Sequence, residues 1–100
     1  MVKHIILWQL KDDYDNEKKA EIKLGIKKNL EALKGQIEGL VDIEVITEGL
    51  ASSNADVMLD STFESEQSLK SYAVHPLHVA AADGFVRPYT KTRLCLDFEN

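Results

Sequence analysis

Two histidines, a tyrosine and an arginine stand close together in residues 71–90, SYAVHPLHVAAADGFVRPYT. His75 lies midway between Tyr72 and His78 in the sequence, and Arg87 lies nine residues after His78. A neutral imidazole accepts a proton well near pH 7, because its ordinary pKa is about 6.5. A phenol can hold a developing oxyanion by donating a hydrogen bond to it. The segment therefore predicts proton removal next to a carbonyl group, with His78 as base and Tyr72 as donor, if the fold brings both into one cavity.

Each of these side chains also fits a structural role. His78 fits a hydrogen-bonded histidine in a lid, and Tyr72 fits a core residue with a tethered hydroxyl group. His75 directly precedes a proline, which is typical of a residue that begins a helix. Arg87 has many acidic residues available as partners, and His4 fits a packed histidine of a first strand. The sequence alone leaves both interpretations open.

Metal binding and nucleophilic catalysis have weaker support. His75 and His78 stand three residues apart, but Pro76 interrupts the helix that would place them on one face, and no H-E-x-x-H motif is present. The single cysteine, Cys95, lies in a predicted strand, and no G-x-S-x-G motif accompanies it. Glycine-rich phosphate loops are missing as well. We therefore expect no metal site and no cofactor.

Composition limits the class of protein. One hundred residues with 44% hydrophobic and 29% charged side chains predict a single globular domain, residues 1–100. A net charge of −5 argues against nucleic-acid and anionic-membrane partners, which attract clustered basic residues. One cysteine excludes an internal disulfide and indicates a reducing compartment, so we expect a cytoplasmic protein. The apolar run in residues 1–10 is too short for a membrane span, and we expect none.

The hydrophobic pattern predicts an element order of β-α-β-β-α-α-β. Alternating or β-branched segments predict strands at 2–10, 40–47, 55–63 and 90–98. Steps of three and four predict a first helix over 16–34, closed by Gly35. Ser65 is expected to cap a second helix, and Pro76 to begin a third that ends at Gly84. This order is typical of a ferredoxin-like α+β fold with helices on one face of a four-stranded antiparallel sheet.

Alternation along the strands predicts two different sheet faces. The set expected to face the helices is almost entirely apolar: His4, Ile6, Trp8, Leu10, Val41, Ile43, Val45, Val57, Leu59, Phe63, Leu94, Leu96 and Phe98. The other set mixes apolar residues with charged ones, among them Arg93 and Asp97. An apolar centre with a charged surround resembles an interface more than a free surface. We therefore expect a homodimer that packs sheet to sheet.

Three stretches of the chain bring a known family into view: the opening VKHIILWQLKDD, the central TFES and the run YAVHPLHVAAADGFVRPY. They resemble the stress-responsive A/B barrel (Dabb) family of dimeric α+β barrels. The resemblance spans the whole chain, and H-P-x-H followed by F-V-x-P is its most specific part. It implies a ferredoxin-like protomer, a dimer of facing sheets and a cavity between sheet and helices. One branch of the family is stress-associated in plants, and another includes the olivetolic acid cyclase type, which closes polyketide chains without metal or cofactor.

The resemblance also implies particular site residues. The cyclase type uses a tyrosine and a histidine flanking the H-P step, and Tyr72 and His78 stand at the matching positions. His4 matches a histidine that lines the cyclase pocket, whereas Val57 stands where that pocket has a further histidine. This apolar replacement weakens the case for the same reaction. The residues expected to bind a ligand are His4, Trp8, Val57, His75, Phe85 and Arg87.

Three hypotheses follow from the sequence. The first is a small dimeric Dabb protein with a hydrophobic pocket, whose role is ligand binding or stress-associated protection without catalysis. The second is a cofactor-free cyclase or lyase that acts on a small carbonyl compound through His78 and Tyr72. The third is a structural module of a larger assembly. An enclosed cavity lined by both side chains would favour the first two, and a filled interior would favour the third.

Overall fold

The computed structural model describes all residues from 1 to 100, and its elements follow the predicted order closely. The strands and helices are β1 (Val2–Leu10), α1 (Asn16–Glu31), β2 (Leu40–Ile46), β3 (Val57–Phe63), α2 (Glu66–Ala73), α3 (Pro76–Ala81) and β4 (Thr90–Glu99). A π-helical turn (Ala82–Val86) and a 3-10 turn (Arg87–Tyr89) join α3 to β4.

The four strands form one antiparallel sheet in the order β2-β3-β1-β4. This is the ferredoxin-like topology that the sequence predicts, with β1 and β3 in the centre and the helices on one face. The core lies between that face and the helices, where Ile22, Ile26 and Leu30 of α1 are buried together with inward residues of the sheet. No helix combines the length and the apolar character that a bilayer crossing requires.

Local side-chain caps explain where the helices begin. The Asp15 carboxylate accepts the N–H of Lys18 and starts α1, and the Ser65 hydroxyl accepts the N–H of Ser68 and starts α2. His75 caps α3 through its Nδ1, which accepts the N–H of Leu77 at 3.1 Å. The caps at Ser65 and His75 therefore set the first residues of the helices that carry Tyr72 and His78.

Strand β4 turns its apolar residues away from the helices, so the predicted facing of Leu94, Leu96 and Phe98 is wrong. In the register with β1, Leu94 pairs with Leu7 and Leu96 with Ile5, and both of those β1 residues lie on the outer face. The alternate residues of β4 therefore share the helix side of the sheet with β1: Arg93 beside Trp8, Cys95 beside Ile6 and Asp97 beside His4. The cause is that β4 is an edge strand with no helix packed over it, so its inner face borders a cavity and not the core.

Three smaller expectations also differ from the structure. A register shift between Leu40 and Asp42 turns Leu40 inward and leaves Val41 40% exposed. The first helix ends at Glu31, before Gly35, whose φ of 82° suits the turn that follows. Gly84 does not stop the third helix, because the chain continues through it as the π-helical turn.

The outer face of the sheet is more apolar than the alternation predicted. Ile5, Leu7 and Met58 lie at its centre, and the correction to β4 adds Leu94, Leu96 and Phe98. Leu94 and Leu96 are 63% and 65% exposed in the protomer, which is unusual for neighbouring leucines on a flat strand. A continuous exposed apolar face of this kind is typical of a protein–protein interaction surface.

Candidate functional site

A cavity of about 80 Å³ lies between the sheet and the segment that runs from α2 to β4. Apolar side chains form most of its wall, and these include Ile6, Trp8, Leu30, Leu59 and Val86. The polar part of the wall consists of His4, Tyr72, His78, Arg87, Thr90 and Arg93. Pockets for drug-sized ligands usually measure about 300–1,000 Å³. This one therefore suits a small molecule with an apolar body and a polar end.

His78 and Tyr72 meet in this cavity. Their ring centroids are 4.2 Å apart with an interplanar angle of 37°. Tyr72 projects from the last turn of α2, and His78 from the first turns of α3. The chain breaks at Pro76 and α3 folds back, so that Tyr72 and His78, six positions apart, come into contact. The structure thus brings together the two residues that the sequence suggested as base and donor.

The hydrogen bonds of His78 define which nitrogen is basic. Its Nδ1 lies 3.1 Å from the carbonyl oxygen of Ala73, which only accepts hydrogen bonds, so Nδ1 carries the hydrogen. The lone pair of the neutral ring is then on Nε2. Burial lowers the pKa of His78 most, the bond to Ala73 opposes this, and the positive charges of Arg87 and Arg93 add to the lowering. The imidazole is therefore neutral and able to accept a proton at pH 7.

The hydroxyl group of Tyr72 is buried and has no hydrogen-bond partner. The residue is only 1% exposed, and its ring packs against Phe63 at a centroid distance of 4.8 Å. Burial raises the pKa of Tyr72 well above 10, so the phenol stays protonated. An unpaired buried hydroxyl costs free energy, because it gives up its hydrogen bonds to water. Tyr72 is therefore a donor without an acceptor in the protein.

His4 forms a second polar element of the wall. Its Nδ1 contacts the carboxylate of Asp97, its partner on β4, and its ring lies edge-on to both Tyr72 and Phe63. The carboxylate keeps a hydrogen on Nδ1 and fixes the orientation of the ring. The hydroxyl of Ser61 donates to the carbonyl of His4 at 2.8 Å and holds the backbone at the same point.

Two arginines complete the cavity, and they differ in their partners. Arg87, at the start of the 3-10 turn, forms an ion pair with the carboxylate of Asp83 one helical turn earlier. Arg93 of β4 forms no ion pair and no side-chain hydrogen bond with a carboxylate. Its guanidinium group is therefore the uncompensated positive charge of the cavity wall.

Three of the predicted ligand-binding residues lie elsewhere. Val57 is buried in the core at the start of β3, and His75 serves as the cap of α3. Phe85 lies 42% exposed on the outer side of the π-helical turn, where it contacts a groove along α1. His4, Trp8 and Arg87 are the predicted ligand-binding residues that line the cavity.

Sequence reasoning missed Arg93 and Asp97, because it placed the odd-numbered residues of β4 on the outer face. Their charge was a usable signal. A strand with Arg93, Cys95 and Asp97 on one side and three large apolar residues on the other has one polar face. If the three apolar residues of β4 face the dimer interface, then Arg93, Cys95 and Asp97 must face the helix side of the sheet, where charged residues need a solvent-accessible cavity.

The cluster of His4, Cys95 and Asp97 holds three atoms of the types that bind metals, all within 4.8 Å of one another. The contact between His4 and Asp97 already accounts for their closeness, and the Cys95 sulfur is 3.5 Å from the same carboxylate. Burial and the neighbouring Asp97 carboxylate raise the pKa of the Cys95 thiol. These contacts form a hydrogen-bonded cluster of three side chains beside the cavity.

Comparison with solved structures confirms the fold. A dimeric ferredoxin-like protein of unknown function from Bacteroides fragilis is 34% identical, with a TM-score of 0.92 over 99% of this chain and 95% of that chain. The protein At3g17210 from Arabidopsis thaliana is 26% identical, with a TM-score of 0.78 over 100% and 95%. A hydroxynitrile lyase from Passiflora edulis shares the fold at 17% identity, with a TM-score of 0.71 over 97% and 90%.

Among proteins with curated functions, none matches this chain in sequence. The family model of the stress responsive A/B barrel domain, Dabb, matches residues 2–100. The match covers nearly the whole chain, and it agrees with the ferredoxin-like topology and with dimeric structural neighbours. The chain belongs to the stress-responsive A/B barrel (Dabb) family.

Proposed function

We propose that the cavity binds a small carbonyl compound and catalyses cofactor-free proton transfer at the carbon next to the carbonyl group. The contact between a neutral imidazole and an unpaired buried phenol in one cavity carries this proposal. His78 is the base, and Tyr72 is the hydrogen-bond donor. The reaction class includes aldol-type ring closure and its reverse, the cleavage of a carbon–carbon bond.

The step uses only groups that the chain supplies. Nε2 of His78 takes the proton from the carbon next to the carbonyl, so that a C–H bond breaks and an N–H bond forms. The released electron pair forms a carbon–carbon double bond, and the carbonyl π electrons move to the oxygen. Tyr72 donates its hydroxyl hydrogen to this oxyanion. Burial makes that hydrogen bond stronger than it would be in water.

The unpaired hydroxyl supports a donor role more than a structural one. A tyrosine that only fills a core usually finds a partner for its O–H group. Tyr72 lines a cavity in which a bound oxygen atom would supply the missing acceptor. Ligand binding would then give the buried Tyr72 hydroxyl its hydrogen-bond acceptor.

His4 and Asp97 supply a positioning pair in this proposal. The ring of His4 lies edge-on to Tyr72, with centroids 6.3 Å apart, and the Asp97 carboxylate fixes its tautomer. With the hydrogen held on Nδ1, Nε2 of His4 carries a lone pair and accepts hydrogen bonds. A substrate hydroxyl group can be oriented by it.

Ligand binding without turnover is the second candidate function. The apolar share of the lining supports it, because burial of apolar surface alone gives affinity for a small hydrophobic molecule. The two functions use one cavity and differ in what happens to a C–H bond.

Hydrogen exchange in D₂O separates the two functions. The probes are a panel of small ketones with slow background exchange, namely butanone, 2-oxobutanamide and 2-oxobutanoate. Proton NMR follows the loss of the signals next to the carbonyl group. The wild type should exchange at least one probe faster than buffer, and His78→Ala should lower the rate by about 10²–10⁴. His75→Asn is the matched control, because it removes a histidine outside the cavity and keeps a helix-capping side chain.

Exchange that equals the buffer rate for every probe, or that persists in His78→Ala, would contradict the catalytic proposal. Binding without exchange, seen as chemical-shift changes of Tyr72 or Trp8, would then support the second candidate.

We also propose that two protomers pair through the outer sheet face. Six apolar side chains of β1, β3 and β4 lie there, and the Bacteroides fragilis structure is described as dimeric. The cavity faces the helices, so pairing through the outer face leaves its wall within one protomer.

A further inference from the structure

The charge of the cavity wall is opposite to the charge of the protein. The chain carries 17 acidic and 12 basic residues, for a net charge of −5. The cavity lining nevertheless contains two arginines and two histidines and no aspartate or glutamate. A cavity built only for a neutral apolar ligand needs no such excess of positive charge. Arg87 and Arg93 therefore give the lining fixed positive charge with no acid among the lining residues.

Only one of the two arginines lacks a protein counter-ion. The Asp83 carboxylate pairs with Arg87, and the Asp97 carboxylate holds His4. Arg93 has no acidic partner, although Asp97 and Glu99 lie on the same strand. Its guanidinium group presents five N–H donors in a planar fork that fits both oxygens of a carboxylate.

Arg93 also stands where the cavity meets a larger groove. An open groove of about 600 Å³ runs beside β4, and it shares only His4 and Arg93 with the cavity. The groove itself contains the acids Glu66, Asp97 and Glu99 and the base Lys70, which pairs with Glu66, so its charges are mixed. An anionic group that enters through the groove meets its first unpaired cation at Arg93.

We propose that the substrate of this cavity is a small carbonyl compound that carries a carboxylate group, and that Arg93 binds this carboxylate. The carbonyl part of the statement rests on the proposed function, whereas the carboxylate part rests on the charge of the wall. With the carboxylate at Arg93, the apolar body lies against Trp8, the cross-strand neighbour of Arg93. The carbonyl group then extends toward the contact between Tyr72 and His78.

Trp8 makes the proposal testable without any turnover. It is the only tryptophan of the chain, and it lines the cavity. Its fluorescence can follow titration with 2-oxobutanoate and with the matched neutral amide 2-oxobutanamide, which differ only in the charged group. A charge-assisted hydrogen bond is worth about 1.5–3 kcal/mol, or about ten- to a hundredfold in affinity. We expect the carboxylate to bind at least about tenfold more tightly than the amide.

Variants assign this preference to Arg93. In Arg93→Gln the two dissociation constants should become equal. Arg93→Lys should retain part of the preference for the carboxylate. Lys11→Gln is the control, because it removes the same charge from an exposed residue outside the cavity and without an ion pair. Arg93 is exposed at the end of its side chain, so these variants should fold, which a thermal melt will verify.

Equal affinity of the wild type for acid and amide would overturn the inference, and so would an unchanged ratio in Arg93→Gln. A preference for the acid that is also lost in Lys11→Gln would indicate a general charge effect and would overturn it too. The outcome is independent of catalysis. Tighter binding of the acid with no hydrogen exchange upholds this inference and rejects the proposed reaction. Hydrogen exchange with equal binding of acid and amide supports the proposed reaction and rejects this inference.

Discussion

The imidazole ring of His78 lies against the phenol ring of Tyr72, with a centroid distance of 4.2 Å. Neither side chain can be replaced without changing the surroundings of the other. The Tyr72 hydroxyl is buried, and this burial raises the pKa of the phenol. The effects of changing the two residues should therefore be non-additive, as for groups that act as a unit.

Tyr72→Phe should separate function from stability. The change removes a buried hydroxyl group that has no partner, so we expect the free energy of unfolding to stay the same or rise by about 1 kcal/mol. A gain of that size raises Tm by about 4–8 °C in a domain of this length. The exchange rate should fall by about 10²–10³, because the oxyanion loses its donor. Tyr14→Phe, outside the cavity, should leave the rate unchanged, and a fall in Tm for Tyr72→Phe would instead indicate a structural hydrogen bond.

The exchange rate should depend on pH through His78. Only the neutral imidazole accepts a proton, so the rate should rise with pH up to the pKa of His78 and then level off. Because burial lowers this pKa, the rate should reach half of its maximum below pH 6.5. The same shift affects stability: the contribution of His78 is complete above its ordinary pKa and is lost as pH falls through the lowered value. A rate that still rises above pH 7 would exclude His78 as the base.

Changes on the outer sheet face should affect assembly. Leu7→Asp and Leu96→Asp each place a charge on the apolar face, at a cost of about several kcal/mol if a partner buries it. Both variants should shift the protein to monomer in light scattering at micromolar concentration. Leu24→Asp provides the control, because Leu24 is 66% exposed on α1 and does not belong to the sheet. A monomeric wild type would reject the proposed dimer.

Glu31 joins α1 to β2 and should contribute to stability. Its carboxylate accepts hydrogen bonds from the N–H of Val45 and from Nζ of Lys27, both at 2.9 Å. Glu31→Ala leaves the buried N–H of Val45 without a partner and should cost about 1–3 kcal/mol in chemical denaturation. Glu21→Ala, an exposed change on the same helix, should stay within about 0.5 kcal/mol of the wild type.

The contribution of Glu31 should also depend on pH. Burial acts to raise the pKa of Glu31, but the bonds from Lys27 and Val45 outweigh it and lower the pKa below the ordinary 4.5. A carboxylate with a lowered folded-state pKa stabilises the protein above its unfolded-state pKa and loses this effect as pH falls. The difference between the wild type and Glu31→Ala should therefore shrink at acid pH, and a difference that grows below pH 4 would contradict the assignment.

The sequence predicted the order of the elements, because strong local signals set it. The stripe of Ile22, Ile26 and Leu30 indicates a helix, and Ser65 and Pro76 indicate where two further helices begin. The contact between Tyr72 and His78 was only permitted by their spacing. It depends on how α3 folds back over the sheet, which is a tertiary property.

The facing of β4 could not be predicted from its own pattern. Leu94, Leu96 and Phe98 alternate as core residues do, and only the register with β1 shows that they point away from the helices. A shift of one residue in register exchanges the two faces of a strand. The error placed Arg93 and Asp97 on the wrong side of the sheet, and it therefore hid the charged half of the site. Their positions follow from the fold and not from any motif.

The pairing of β1 with β4 also bears on how the protein folds. His4 and Asp97 touch across 93 positions of sequence, so their contact closes nearly the longest loop that the chain allows. Contacts of this kind form against a large loss of chain entropy, and they slow folding. The helices and the β2–β3 hairpin rest on much more local contacts. The cavity should therefore be among the last parts of the molecule to form in refolding, and an intermediate with native helical content would still lack the wall that holds Arg93.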